Sequence, residues 1–212
     1  MKENNSHLDA LQDIRNIMDK STRFISLSGL SGIAAGIIAI LGAVVASIKL
    51  NVPFLVQQTS STYEVRSQHN IENTIIFVAL DAVIVLFGAI AAGLFFTIRK
   101  SKQKKQSIWS ASSKRLVVHL LIPLVTGGLF SLILIYHGLF AFIAPSMLLF
   151  YGMALINASK FTLHDIKYLG LIELVLGLIS AFYLGYGLLF WTIGFGLMHI
   201  VYGAIMYFKY ER

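Results

Sequence analysis

Six long apolar stretches run through this 212-residue chain: Phe24–Ile48, Thr74–Ile98, Leu116–Ile135, Leu139–Ile156, Tyr168–Leu184 and Gly187–Phe208. An α-helix rises about 1.5 Å per residue, so about 20 residues cross a hydrocarbon core of about 30 Å. The first two stretches are long enough to tilt or project beyond a bilayer; the fourth and fifth are short but within range. With 57% hydrophobic and 13% charged residues, a soluble fold would expose far too much apolar surface. The expected fold is therefore all-α and polytopic. A six-helix transmembrane domain over residues 24–212 follows a short cytoplasmic segment, residues 1–23.

Positive charge orients the spans. Fifteen of the seventeen Lys and Arg fall in the N-terminal segment, in the linkers after the second and fourth stretches, and in the tail. Only Lys49 and Arg66 fall on the other side. Cytoplasmic loops carry the excess of Lys and Arg, so both termini are expected in the cytoplasm. A bacterial inner membrane is the natural location. The first stretch is expected to be retained, because it is too long for a signal peptide and a polar helix precedes it. The chain has no Cys, which removes disulfide and thiol chemistry. Its net charge of +7 reflects topology and implies no nucleic-acid partner.

Residues 6–23 read as an amphipathic helix with Ser6 as N-cap, Asp9 in the first turn, and Leu8, Leu11, Ile14 and Met18 at helical spacing. It is expected to lie against the membrane or the bundle, with docking of a protein partner or a second copy as the alternative. Residues 49–73 form the sizeable external segment, able to make a small cap or to extend the flanking helices. Residues 99–115 hold seven basic and no acidic groups. Anionic lipid attracts such a cluster by about 1 kcal/mol per charge, so that lipid is the expected partner of this loop.

Ser28, Gly32 and Gly36 in the first stretch, and Gly88 and Ala92 in the second, recur at four-residue spacing. Small residues so placed let helix backbones approach closely in lipid, and the expectation is that these two helices pack on each other. Pro123 and Pro145 fall inside the third and fourth stretches, where each predicts a lost backbone hydrogen bond and a kink. The last four stretches read as two tight hairpins turning near His137 and Tyr186. A match between Met147–Gly152 and Met198–Gly203 suggests a duplication.

Gly29-Leu30-Ser31-Gly32 resembles the G-x-S-G of rhomboid intramembrane proteases, but that motif belongs on their fourth core helix and here opens the first. No catalytic, cofactor-binding or metal-binding residue is assigned, and no cofactor is expected. The segment Arg15–Gly32 (RNIMDKSTRFISLSGLSG) resembles the opening of a group of bacterial six-span inner-membrane proteins. That resemblance implies the location and brings no activity with it.

Three ionisable residues carry the candidate site. Asp81, Glu173 and His199 fall within apolar stretches, where each should face protein or water rather than lipid. If the fifth and sixth helices are antiparallel about Tyr186, Glu173 and His199 lie at equal depth. Helical spacing groups His199 with Thr192, Gly196 and Gly203. Two functions are consistent with these residues: a non-enzymatic regulatory or accessory protein acting by interaction, or a small channel or transporter, proton-linked through Glu173 and His199.

Overall fold

A computed structural model of the chain describes residues 28–51, 53–54, 60–103 and 109–212, with backbone alone over 60–72. The amphipathic segment 6–23 and part of the basic loop, 104–108, lie outside the described residues. No strand occurs among the described residues. Five helices are long and apolar enough to cross a membrane. Four of these are α1 (Gly29–Leu50), α2 (Ser60–Gln103), α3 (Ala111–Tyr136) and α6 (Gly187–Tyr210). The other is the rod Phe140–Phe161, in which short 3-10 turns flank α4 (Ile143–Ala158). Between it and α6 stands α5 (Ile166–Phe182), with 17 residues.

The ends of these helices are set by local chemistry. Ser110 caps α3, its hydroxyl accepting from the Ser113 N–H at 3.1 Å. Asn51 closes α1 in the left-handed conformation. Gly138, at φ +71°, turns the chain from α3 towards α4. α2 runs for 44 residues, about 66 Å at 1.5 Å per residue, so residues 60–73 of the segment expected to be external extend this helix. Pro123 sits inside α3. Pro145 costs α4 no hydrogen bond, contrary to expectation: α4 begins at Ile143, so the missing N–H falls in its first turn, where it has no intrahelical partner.

α1 packs between α2 and α6, while α4 packs between α3 and α5 and also touches α6. The two expected hairpins differ. α3 and α4 lie closely together, but α5 packs on α4 far more than on α6. Gly152 meets Gly170 of α5, whereas Gly203 meets Gly29 and Ile33 of α1. The matched hexapeptides thus occupy different environments.

The small-residue stripe of α1 also has a different partner from the one expected. A Cβ on Gly36 would stand 2.6 Å from the Gly196 carbonyl oxygen, and one on Gly32 would stand 3.2 Å from that of His199. The Gly32 and Gly36 face is therefore seated on α6, not on α2. Contact with α2 comes from another face of α1, where Gly42 meets Val85 and Ile38 meets Gly88. Ala92 is half-buried, and Gly93 beside it meets nothing. Outward faces of α2 and α3 are apolar along their length, with Ile84, Phe87, Phe95, Ile122, Leu129 and Leu132 exposed.

Candidate functional site: a buried Tyr–His–Glu cluster

α6 changes winding where it meets α4 and α5. Thr192–Met198 is a π-helix between α-helical Gly187–Trp191 and His199–Tyr210. The wider winding breaks the 3.6-residue periodicity and separates side chains expected on one face. Gly196 and Gly203 point at α1, whereas the His199 ring turns to α4 and α5. The grouping of His199 with these glycines holds for its backbone, whose carbonyl lies over Gly32 of α1, but not for its ring, which turns to α4 and α5. Single π-turns inside α-helices occur frequently at functional sites.

The structure brings Glu173 and His199 together. Nδ1 of His199 lies 3.7 Å from Glu173 Oε1 and 3.0 Å from the Gly194 carbonyl oxygen, five residues back on its own helix. A carbonyl can only accept, so Nδ1 carries a hydrogen. Nε2 lies 2.6 Å from the Tyr151 hydroxyl of α4. With a neutral ring, Nε2 accepts and Tyr151 donates. Phe195 closes the other side, its ring 4.9 Å from that of Tyr151.

Glu173 has no exposed surface, and neither carboxyl oxygen finds a hydrogen-bond partner among the described residues. The site is tight: a Cβ on Gly194 would stand 2.5 Å from both Glu173 Oε2 and a Leu148 methyl. Glycine at 194 is what lets the carboxyl reach the backbone of α6. No cluster of three His, Asp or Glu side chains able to hold a metal ion occurs among the described residues. One helical face of α5 also buries Ser180, whose hydroxyl is without a hydrogen-bond partner among the described residues.

Asp81 does not join this cluster. It is half-buried on α2, with Oδ2 3.6 Å from the place of a Cβ on Gly42, so it belongs to the α1–α2 contact. Ser28 is not part of a helix–helix stripe either. It precedes α1 in extended conformation, and its hydroxyl donates to Glu211 at 3.1 Å. The Ser31 hydroxyl donates to the Ser28 carbonyl, a local bond in the first turn of α1.

Two polar clusters tie the helix ends together. Glu211 accepts from the Gly29 N–H and from Ser28, and its Oε1 stands 3.2 Å from Lys100 Nζ at the end of α2. The carboxylate of the last helix therefore caps the first, filling the role of a side-chain N-cap and complementing the helix dipole. Asp165, before α5, accepts from Lys209 and from Tyr210, each at 2.7 Å. At the same end, His119 of α3 stacks on Phe161, ring centroids 4.7 Å apart. These contacts gather the starts of α1, α3 and α5 with the ends of α2, α4 and α6, so the six helices alternate in direction.

Sequence reasoning missed Tyr151, Gly194 and Glu211. A signal for Tyr151 existed: twelve residues beyond Leu139 is Tyr151, and twelve beyond Gly187 is His199, which places both at one depth. Gly194 had none, because only π-winding aims it at Glu173.

The architecture defines an all-helical protein with helices long and apolar enough to cross a membrane. No family model, curated protein or solved structure matches this chain. The resemblance over Arg15–Gly32 rests on those residues alone.

Proposed function

We propose that the chain is a six-span bacterial inner-membrane protein with both termini cytoplasmic, acting by non-enzymatic interaction as a regulatory or accessory subunit. The observation that carries this reading is the closure of the bundle around its deepest carboxyl. Glu173 is fully buried, and not even a methyl group fits between it and Gly194. A conduit needs a wet approach to its polar centre; a structural and sensing element does not. Anionic lipid at residues 99–115 and a protein partner or second copy at residues 6–23 complete the proposal. A small proton-linked channel or transporter is the second reading, favoured by the contact of His199 with both Tyr151 and Glu173.

The test is isolation of the tagged full chain from native membranes after cross-linking, beside the same chain without residues 1–23. A stoichiometric partner, or a second copy, that is lost on deletion is the expected result. Proton or solute flux in proteoliposomes above that of protein-free vesicles, with no such partner, would overturn it in favour of transport.

A further inference from the structure

We infer that Glu173, His199 and Tyr151 form a buried site for one exchangeable proton, and that its occupancy is reported to α1 through the π-helical segment of α6. This goes beyond either reading of function, since it needs neither a particular partner nor a transported solute.

The site is defined by an unpartnered carboxyl inside a bundle that lipid surrounds. A charge buried there without a partner is costly. Titratable side chains facing Glu173 come from two helices, His199 of α6 and Tyr151 of α4; α1 offers glycine to the other side of α6. With a proton on Glu173 the cluster is neutral and internally consistent: Nδ1–H stays on the Gly194 carbonyl and Tyr151 donates to Nε2. When that proton passes to water during a transient opening of the packing around Glu173, no other covalent bond changes, but on reclosure a carboxylate stands 3.7 Å from Nδ1–H. The charge draws the imidazole N–H from Gly194 to Oε1.

That exchange touches the winding of α6. In an α-helix the Gly194 carbonyl would accept from the Met198 N–H; here the His199 ring holds that carbonyl within a π-turn. Releasing it frees that carbonyl for a backbone N–H and so shifts the winding of the turn while the ring stays on Glu173. The opposite face of this segment bears on α1. The Gly196 carbonyl lies over Gly36, and the His199 carbonyl over Gly32. Backbone-to-backbone packing of this kind has no flexible side chain to absorb a rotation, so α1 must reseat.

The experiment uses the full chain in lipid nanodiscs, with nitroxide labels at Leu41→Cys on α1 and Leu197→Cys on α6, both exposed positions in a chain without other Cys. Inter-label distances are measured in acidic and alkaline buffer, beside infrared difference spectra of the protonated-carboxyl stretch. Expected is a carboxyl band that disappears as pH rises, together with a distance shift of the same midpoint; both vanish in Glu173→Gln. Tyr151→Phe keeps the ring, removes only the hydroxyl, and should displace the midpoint while leaving the shift. A shift that persists in Glu173→Gln overturns the proposal. So does a titrating carboxyl with fixed distances, or the absence of a pH-dependent carboxyl band. Should Glu173→Gln not fold, an unmoved midpoint in Tyr151→Phe overturns it alone. None of these outcomes depends on finding a partner, so this proposal and the proposed function can fail separately.

Discussion

Asp165 shows how a single carboxylate outside the apolar core can hold two helix ends. Burial alone would raise its pKa, but the hydrogen bonds from Lys209 and Tyr210, with the charge of Lys209, hold it below the ordinary carboxylate value. A carboxylate whose pKa is lower folded than unfolded stabilises the fold above its unfolded value, about 3.9. That contribution disappears as pH falls through the folded value. Asp165→Asn should therefore lower the thermal midpoint of the detergent-solubilised protein at neutral pH. The deficit should shrink to nothing as the buffer is acidified through the folded-state range. Added salt should shrink it as well, because Lys209 is half exposed. An equal deficit in acid and at neutral pH would mean that the carboxamide is misplaced sterically and that charge has no part in it. The Glu211 clamp differs in kind. Lys100 beneath it is 5% exposed, and the same carboxylate satisfies a backbone N–H that nothing else in α1 can.

At the scale of elements, glycine decides which helices meet. Gly36 of α1 and Gly196 of α6 bring two backbones together with no side chain between them, whereas Gly93 of α2 faces open space that lipid would fill. Gly36→Leu should force α1 from α6 at a cost at or above the usual 1–3 kcal/mol, roughly, of an overpacked contact. Gly93→Leu, an equal change in volume, should leave the thermal midpoint within error. Equal loss in both would mean that α2 carries an interface on its outward face. This contrast also marks what was legible in the sequence. The small-residue spacing of α1 announced a close contact but not its partner, because Ser28, Gly32 and Gly36 match any other helix equally well. Depth was legible: residue counting from Tyr186 set Glu173 opposite His199, and the two do meet. Direction around α6 was not, because the π-turn at Thr192–Met198 adds a residue that hydrophobic periodicity cannot register. The start of α4 is hidden for a related reason. Phe140–Phe142 is as apolar as the helix it precedes, and only backbone geometry separates the 3-10 turn from the α-helix that accommodates Pro145.

For the whole molecule the deciding quantity is how many of the alternating helices cross the bilayer, and α5 sets it. At 17 residues it spans about 25 Å, a little less than a hydrocarbon core of about 30 Å. A short helix can still cross where the bilayer thins or flanking residues reach the interface, at a modest cost. Its flanks suit that role. Tyr183 lies just beyond one end and is exposed, as interfacial tyrosines are. At the other end Asp165 is held by Lys209 and Tyr210, polar groups that belong in the headgroup region. If α5 crosses, Tyr183 is external while Lys160 and Ser107 are cytoplasmic; if it does not, Lys160 and Tyr183 share one side. Single-Cys variants at these three positions and at Ser60, treated in intact cells with a membrane-impermeant thiol reagent, distinguish the two. Labelling at Ser60 and Tyr183 but not at Ser107 or Lys160, with all four labelled after the membrane is opened, is the expected pattern. Failure of both Tyr183 and Lys160 to label in intact cells, with Ser60 still labelled, would reduce the crossings to five, move the C-terminus to the outside, and leave Lys209 and Arg212 on the side where the excess of positive charge should not be. The charge distribution and the polar clamps at Asp165 and Glu211 argue for six, because with α5 off the membrane the C-terminal Lys209 and Glu211 would lie across the bilayer from Asp165 and Lys100, and both ion pairs would be lost.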